Sequence, residues 1–129
     1  MANSCEEGLG NLKGCKEIFN NYGDRIRKFY SFDGYMSQCT SIAVGSHRYR
    51  MQVQCPGGHS YLDFGKDNAI QIAAEIIHEL YRITPPQQEY TTYNVGRIEG
   101  GSTVNSIAQE VTLLYEYRSA SEACLQVMK

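Results

Sequence analysis

Long apolar runs, a basic excess and paired cysteines are all missing from these 129 residues, and each absence excludes something. No stretch approaches the ~20 apolar residues that span a bilayer, so no membrane partner is expected. Twelve Lys and Arg against 14 Asp and Glu leave a net charge of −2. That is not the basic footprint nucleic acid demands, so no nucleic-acid partner is expected either. The densest basic run, Arg25-Ile26-Arg27-Lys28, reads as a solvated helix end. Five cysteines, at 5, 15, 39, 55 and 124, are odd in number and include no Cys-x-x-Cys pair. They predict reduced thiols in a soluble, cytoplasmic protein, not a zinc ribbon or redox motif. No secretory leader is expected ahead of Ser4. Repeats and low-complexity segments are absent. What remains, 42% apolar and 20% charged, is a globular chain able to bury a core without disulfides or metal.

Several segments carry a clear period. Leu12, Cys15, Ile18, Phe19 and Tyr22 recur at helical spacing, with Gly23 as a stop. Residues 29–33, Phe-Tyr-Ser-Phe-Asp, look like a short buried strand. From 48 to 55, Tyr49, Met51, Val53 and Cys55 alternate with Arg48, Arg50, Gln52 and Gln54, as a half-buried antiparallel strand requires. Pro56, Gly57 and Gly58 end that ladder. The spacing predicts a helix over 68–82, with Ala69, Ile70, Ile72, Ala73, Ile76, Ile77 and Leu80 as its apolar stripe and Pro85-Pro86 as its end. A strand over 91–98 follows, with Gly96 as a bulge or a site of close backbone approach. A polar loop over 99–108 is longer than a hairpin needs, hence a candidate working loop. Val111, Leu113, Tyr115 and Tyr117 mark a third strand, and Ser119 or Ser121 caps a helix starting at Glu122. From residue 47 the order is strand, helix, strand, strand, helix. The expected class is therefore α+β, a ferredoxin-like split βαβ unit (β-α-β-β-α) lacking its closing strand.

Candidate chemistry sits in a few places. His59, on the tight turn Gly57-Gly58-His59-Ser60, is displayed instead of packed, as a working group or as a plain polar loop residue. Glu6 and Glu7 are adjacent carboxylates before a glycine-rich turn and cannot share a helix face. At a strand-to-turn junction one can hold a metal while the other handles protons, as zinc hydrolysis needs. In a first helical turn they would only answer the helix dipole. Asp33 stands before Gly34 at a sheet edge or in an ordinary turn. Asn105 lies in the polar loop, and Arg118 lies on the face opposite Tyr115 and Tyr117. Side by side, an Arg and an Asn can grip a carboxylate. His78 falls on the wet face of its helix and reads as a surface histidine.

Taken in order, Cys5-Glu6-Glu7-Gly8-Leu9-Gly10-Asn11-Leu12, Phe32-Asp33-Gly34, Gly57-Gly58-His59-Ser60, Asn68-Ala69-Ile70, Gly96-Arg97-Ile98-Glu99-Gly100-Gly101, Asn105 and Arg118 resemble one family. It is the dinuclear-zinc aminoacylase, peptidase T and succinyl-diaminopimelate desuccinylase family of amidohydrolases and exopeptidases. The resemblance implies that residues 1–45 are a remnant of the zinc catalytic domain with a connector, and that 46–129 are an incomplete lid or dimerisation domain. It implies that Glu6 is the general base, that Glu7 and Asp33 are metal ligands, and that two zinc ions serve the complete enzyme. His59 would be the lid histidine that reaches a neighbouring subunit's site and stabilises the oxyanion. Asn105 and Arg118 would bind the carbonyl or carboxylate of a peptide or N-acyl amino acid. A homodimer through helix 68–82 and strand 91–98 is implied as well.

The chain also departs from that family. A His-x-Asp ligand pair and a bridging Asp would precede Met1, and a last histidine ligand would follow Lys129. His47, His59 and His78 sit in no His-x-Asp motif, and Ala108 stands where the family has proline. The resemblance therefore implies a central fragment that is inactive alone and binds zinc weakly at best. The competing reading is a stand-alone ferredoxin-like binding or regulatory module without metal, which would have no use for Glu6, Glu7 and Asp33.

Overall fold

In a computed structural model that describes residues 10–32, 37 and 39–129, the sequence periods become elements of two very different kinds. The chain divides into two units, Met1–Cys39 and Thr40–Lys129. Glu6, Glu7 and Asp33 lie outside the described residues.

The first unit carries α1, Lys13–Tyr22, and a 3₁₀ turn, Gly23–Arg25. Gly23 ends the helix as expected, donating its N–H to the Phe19 carbonyl. Phe19 and Phe29 meet edge to face with ring centroids 5.2 Å apart. None of the described residues of this unit is buried. The strand expected over 29–33 does not form across 29–32: no regular structure is present, and Phe29, Tyr30 and Phe32 are 48%, 73% and 81% exposed. Apolar composition suggested that strand, but a strand exists only where another strand takes its N–H and C=O groups. Among the described residues none does.

The second unit contains β1 (Gly45–Gln54), β2 (Gly58–His59), α2 (Ala69–Leu80), β3 (Thr91–Gly100), β4 (Ser106–Ile107), β5 (Glu110–Ser119) and α3 (Glu122–Val127). β5 lies between β1 and β3 and is antiparallel to both. β1 and β3 thus run parallel with β5 inserted between them, the split βαβ of a ferredoxin-like α+β fold. Among the described residues no fourth strand pairs with β1. The register runs without interruption from Gly45 opposite Ser119 to Gln54 opposite Glu110. It sets Tyr49, Met51 and Val53 beside Tyr115, Leu113 and Val111 on one face. Gly96 is the expected bulge: Val95 pairs with Tyr115 and Arg97 with Leu114, leaving the glycine as the extra residue.

The core forms where that face meets the helices. Val111 and Leu113 pack with Ala69 and Ala73 of α2, while Tyr115 and Tyr117 pack with Leu125 of α3. Burying a side chain such as Leu113 is worth about 1.5–3 kcal/mol. Tyr117 keeps its hydroxyl satisfied at 3.0 Å from that of Tyr49. Burial, and then that bond, push its phenol up to about 12. Asn68 caps α2 by accepting the Ile70 N–H at 2.9 Å. The helix stops at Leu80, short of the expected Arg82 and well before Pro85. There the Tyr93 hydroxyl donates to the carbonyls of Tyr81 at 3.2 Å and Ile83 at 3.0 Å, which draws the chain out of helical geometry. Ser121, not Ser119, caps α3. The apolar stripe of α2 is wider than the sheet covers. Ile72, Ile76, Leu80 and Ile83, flanked by Glu75 and Glu79, line an open apolar groove of about 500 Å³. No helix among the described residues is long and apolar enough to cross a membrane.

Candidate functional site

Beyond β1 the chain enters a turn that only glycine fits. Cys55 donates its N–H to the Gln109 carbonyl at 2.8 Å, and the Gln109 side chain returns to the Pro56 carbonyl at 3.1 Å. Gly57 lies beneath that side chain at φ 71°, and a Cβ there would stand 2.2 Å from Gln109 Cγ. Next, β2 and β4 pair, Gly58 opposite Ile107 and His59 opposite Ser106. Ser60 extends the ladder by donating its N–H to the Asn105 carbonyl at 3.0 Å. The segment after β1 is thereby fastened to the segment before β5, and His59 and Asn105 reach the same end of the sheet. The long loop expected over 99–108 is shorter than its composition suggested. β3 runs on to Gly100, and Ser106–Ile107 is a strand because β2 supplies it a partner.

Both side chains are oriented as donors. The exposed His59 ring accepts the backbone N–H groups of Tyr61 at 3.3 Å and Leu62 at 3.5 Å on Nδ1. In the neutral imidazole the proton then belongs to Nε2. Asn105 accepts the Thr103 hydroxyl on Oδ1 at 2.8 Å, which leaves its Nδ2 amino group to donate. Asp63 holds the turn after His59, taking the His59 N–H at 2.8 Å and Lys66 Nζ at 2.7 Å. Lys66 and then the His59 N–H hold the Asp63 carboxyl below its ordinary range. A polar cleft of about 480 Å³ opens at this end, lined by Gly58, Glu99, Gly101, Ser106, Gln109 and Glu110 among others. Neither His59 nor Asn105 lines that cleft, whose Glu99 and Glu110 carboxylates disfavour an anion; each of the two side chains by itself offers an N–H donor of the kind that suits a carbonyl or a developing oxyanion.

Arg118 is elsewhere. It pairs with Ser46 and Thr92 at the opposite end of β5 from Glu110, roughly 27 Å away at the ~3.4 Å rise of an antiparallel strand. Glu116 already binds it, at 2.8 Å to Nε and 3.1 Å to Nη2, and also accepts Arg48 Nε at 3.2 Å. The side-by-side Arg and Asn grip does not form within one chain, because strand length separates the two. His78 is exposed in the last turn of α2. Among the described residues no three His, Cys, Asp or Glu come together as a metal ion would need. The described residues therefore offer no zinc site, and Glu7 and Asp33 lie outside them. Sequence reasoning overlooked Asp63 and Thr103. Their types are ordinary in turns, and only the folded turn shows what they hold.

A model of the peptidase dimerisation domain matches residues 43–127. Solved structures of similar fold include the aminobenzoyl-glutamate utilization protein from Klebsiella pneumoniae, at 25% identity and a TM-score of 0.61. A tripeptidase from Staphylococcus aureus aligns at 29% identity and a TM-score of 0.55. The aminopeptidase PepT from Bacillus cereus aligns at 24% identity and a TM-score of 0.55. Each alignment covers 65% of this chain and 22% of the other, so the chain spans about a fifth of the length of those proteins. No curated protein sequence matches the chain.

Proposed function

This chain belongs to the peptidase dimerisation domain family, and from that premise we propose that it is the lid and dimerisation segment of a zinc-dependent exopeptidase or amidohydrolase. The bond cleaved in this reading is a peptide or N-acyl amide bond, and the chain alone is inactive. The observation that carries the reading is the β2–β4 ladder, which ties the His59 and Asn105 segments together and leaves each side chain a donor, His59 Nε2 and Asn105 Nδ2. Donors held in place before reaction stabilise charge on an oxygen without reorganising. His59 acts in the site of a neighbouring subunit. Arg118, at the far end of β5 from that ladder, serves its own subunit by exchanging Glu116 for a substrate carboxylate. The separation of the two ends within one chain supports that division.

Glu6 as general base and Glu7 and Asp33 as ligands belong to the same proposal, from residues 1–45 as a catalytic-domain remnant. Peptidases of this family are generally metal-dependent. When bound, zinc would supply the activated water; residues 46–129 supply donors and an interface. A dimerisation domain suggests a homodimer, and α2 with the outer edge of β3 is the proposed interface. The open groove of Ile72, Ile76, Leu80 and Ile83 supports it. Among the described residues no second strand pairs with the outer side of β3, whose N–H and C=O groups, apart from the Val95 N–H taken by the Tyr81 hydroxyl, can take a second copy's strand. A cytoplasmic setting completes the reading.

The decisive experiment uses the complete enzyme that carries this domain. His59→Ala should lower kcat on the order of 10²–10³-fold with little change in KM. Mixing His59→Ala subunits with Glu6→Gln subunits should restore activity if the histidine works across the dimer. A mixture as inactive as its components would sink the trans reading. A stable monomer at tens of micromolar by sedimentation would remove the dimer.

A further inference from the structure

The turn that follows His59 is built around one side chain. Residues 59 and 63 exchange two hydrogen bonds: the His59 N–H donates to Asp63 Oδ2 at 2.8 Å, and the Asp63 N–H donates to the His59 carbonyl at 2.9 Å. The other carboxylate oxygen takes Lys66 Nζ at 2.7 Å, and the Lys66 N–H returns to the Asp63 carbonyl at 3.2 Å. The carboxylate fills space that glycine leaves open. A Cβ on Gly58 would stand 2.7 Å from Asp63 Oδ2 and 2.8 Å from its Cβ. Inside the closed turn the N–H groups of Tyr61 and Leu62 converge on His59 Nδ1.

An exposed histidine on a surface turn ordinarily samples several rotamers and either neutral tautomer. Here the ring is anchored by amides whose direction depends on the closure of the turn. We propose that Asp63 is a positioning residue for His59: its carboxylate closes the turn, aims two backbone amides at Nδ1, and thereby keeps the Nε2–H directed outward as a fixed donor. Asp63 touches no reacting atom. The inference rests on the reading of His59 as a donor, and adds to it the residue that makes that donor ready before substrate arrives. The His59 contact needs only an acceptor oxygen at position 63, whereas the Lys66 contact needs the charge. Asp63→Asn and Asp63→Ala therefore separate the two functions.

The test uses this chain, ¹⁵N-labelled, with long-range ¹H–¹⁵N spectra of the imidazole recorded where His59 is neutral. The wild type should show an unprotonated Nδ1, a protonated Nε2 and a slowly exchanging His59 amide. Asp63→Ala should move the ring signals toward those of free histidine and speed His59 amide exchange at least ~10-fold. Asp63→Asn should keep the wild-type signature. The amides of β5 should be unchanged in both variants, which excludes general unfolding as the cause. A His59 signature that is the same in Asp63→Ala as in the wild type overturns the proposal. In the complete enzyme, Asp63→Ala should lower kcat roughly tenfold at unchanged KM, with recovery in Asp63→Asn. If His59→Ala itself leaves kcat untouched, the donor reading fails, while the spectra of this chain still judge Asp63.

Discussion

Helices α1 and α2 carry the same kind of message and meet different fates. Each repeats apolar residues at helical spacing, but α1 ends at the local Gly23, whereas α2 ends where Tyr93 of β3 takes the carbonyls of Tyr81 and Ile83. Yet α2 sinks Ala69 and Ala73 completely against the sheet, while α1 buries no residue at all. The contrast teaches that amphipathic spacing specifies a helix and its apolar side but not the surface that will cover that side. α2 has β5, whose inward residues Val111 and Leu113 are 1% and 0% exposed. An isolated helix the length of α1 is marginal in water. The two units therefore differ in stability more than their sequences suggest.

Hydrogen exchange gives the widest separation. Amides at the centre of β5 should exchange on the order of 10³-fold more slowly than those of α1, since core strands open only near the global unfolding free energy. Equal protection in α1 would break the comparison and mean that its apolar side is covered. Next in size, Leu113→Ala should destabilise the second unit by about 3 kcal/mol, as large-to-small changes in a closed core do, read from urea unfolding. A loss near zero would mean that the core is not centred on β5. A smaller effect is expected at the helix start, where Asn68→Ala removes the acceptor for the Ile70 N–H and should cost about 1 kcal/mol.

The smallest effect concerns the outer face of the sheet. Arg118 first, with Arg48, holds the Glu116 carboxyl below its ordinary range. The unfolded chain therefore takes up a proton there before the folded one does. That contribution to stability is complete above the unfolded value and disappears as pH falls through the lowered folded value. Glu116→Gln should cost about 0.5–1 kcal/mol at neutral pH, a modest figure for a partly exposed pair. The difference from the wild type should vanish in acid. A difference that persists there would mean that Glu116 contributes by packing instead of charge.

The sequence by itself determined the elements whose causes are local. Alternation over 48–55 and 111–117 specified strands and the face each would bury, and Gly96 announced the bulge. Asn68 announced the start of α2 and the Pro-Gly-Gly run the end of β1, while the cap of α3 stayed open between Ser119 and Ser121. Even the ferredoxin-like order followed from these, because a split βαβ leaves little choice of pairing. Tertiary structure decided everything that depends on a distant partner. Residues 29–32 are as apolar as a strand but have none beside them among the described residues, whereas Ser106–Ile107 looked like loop and became a strand because Gly58–His59 came to meet it. The same ladder joined His59 to Asn105 across many residues of sequence, and the full length of β5 kept Arg118 away from both. Backbone propensity acts over a few residues, but a hydrogen bond between strands exists only once the whole sheet is in register. That is why the donors could be named from the sequence while their meeting could not.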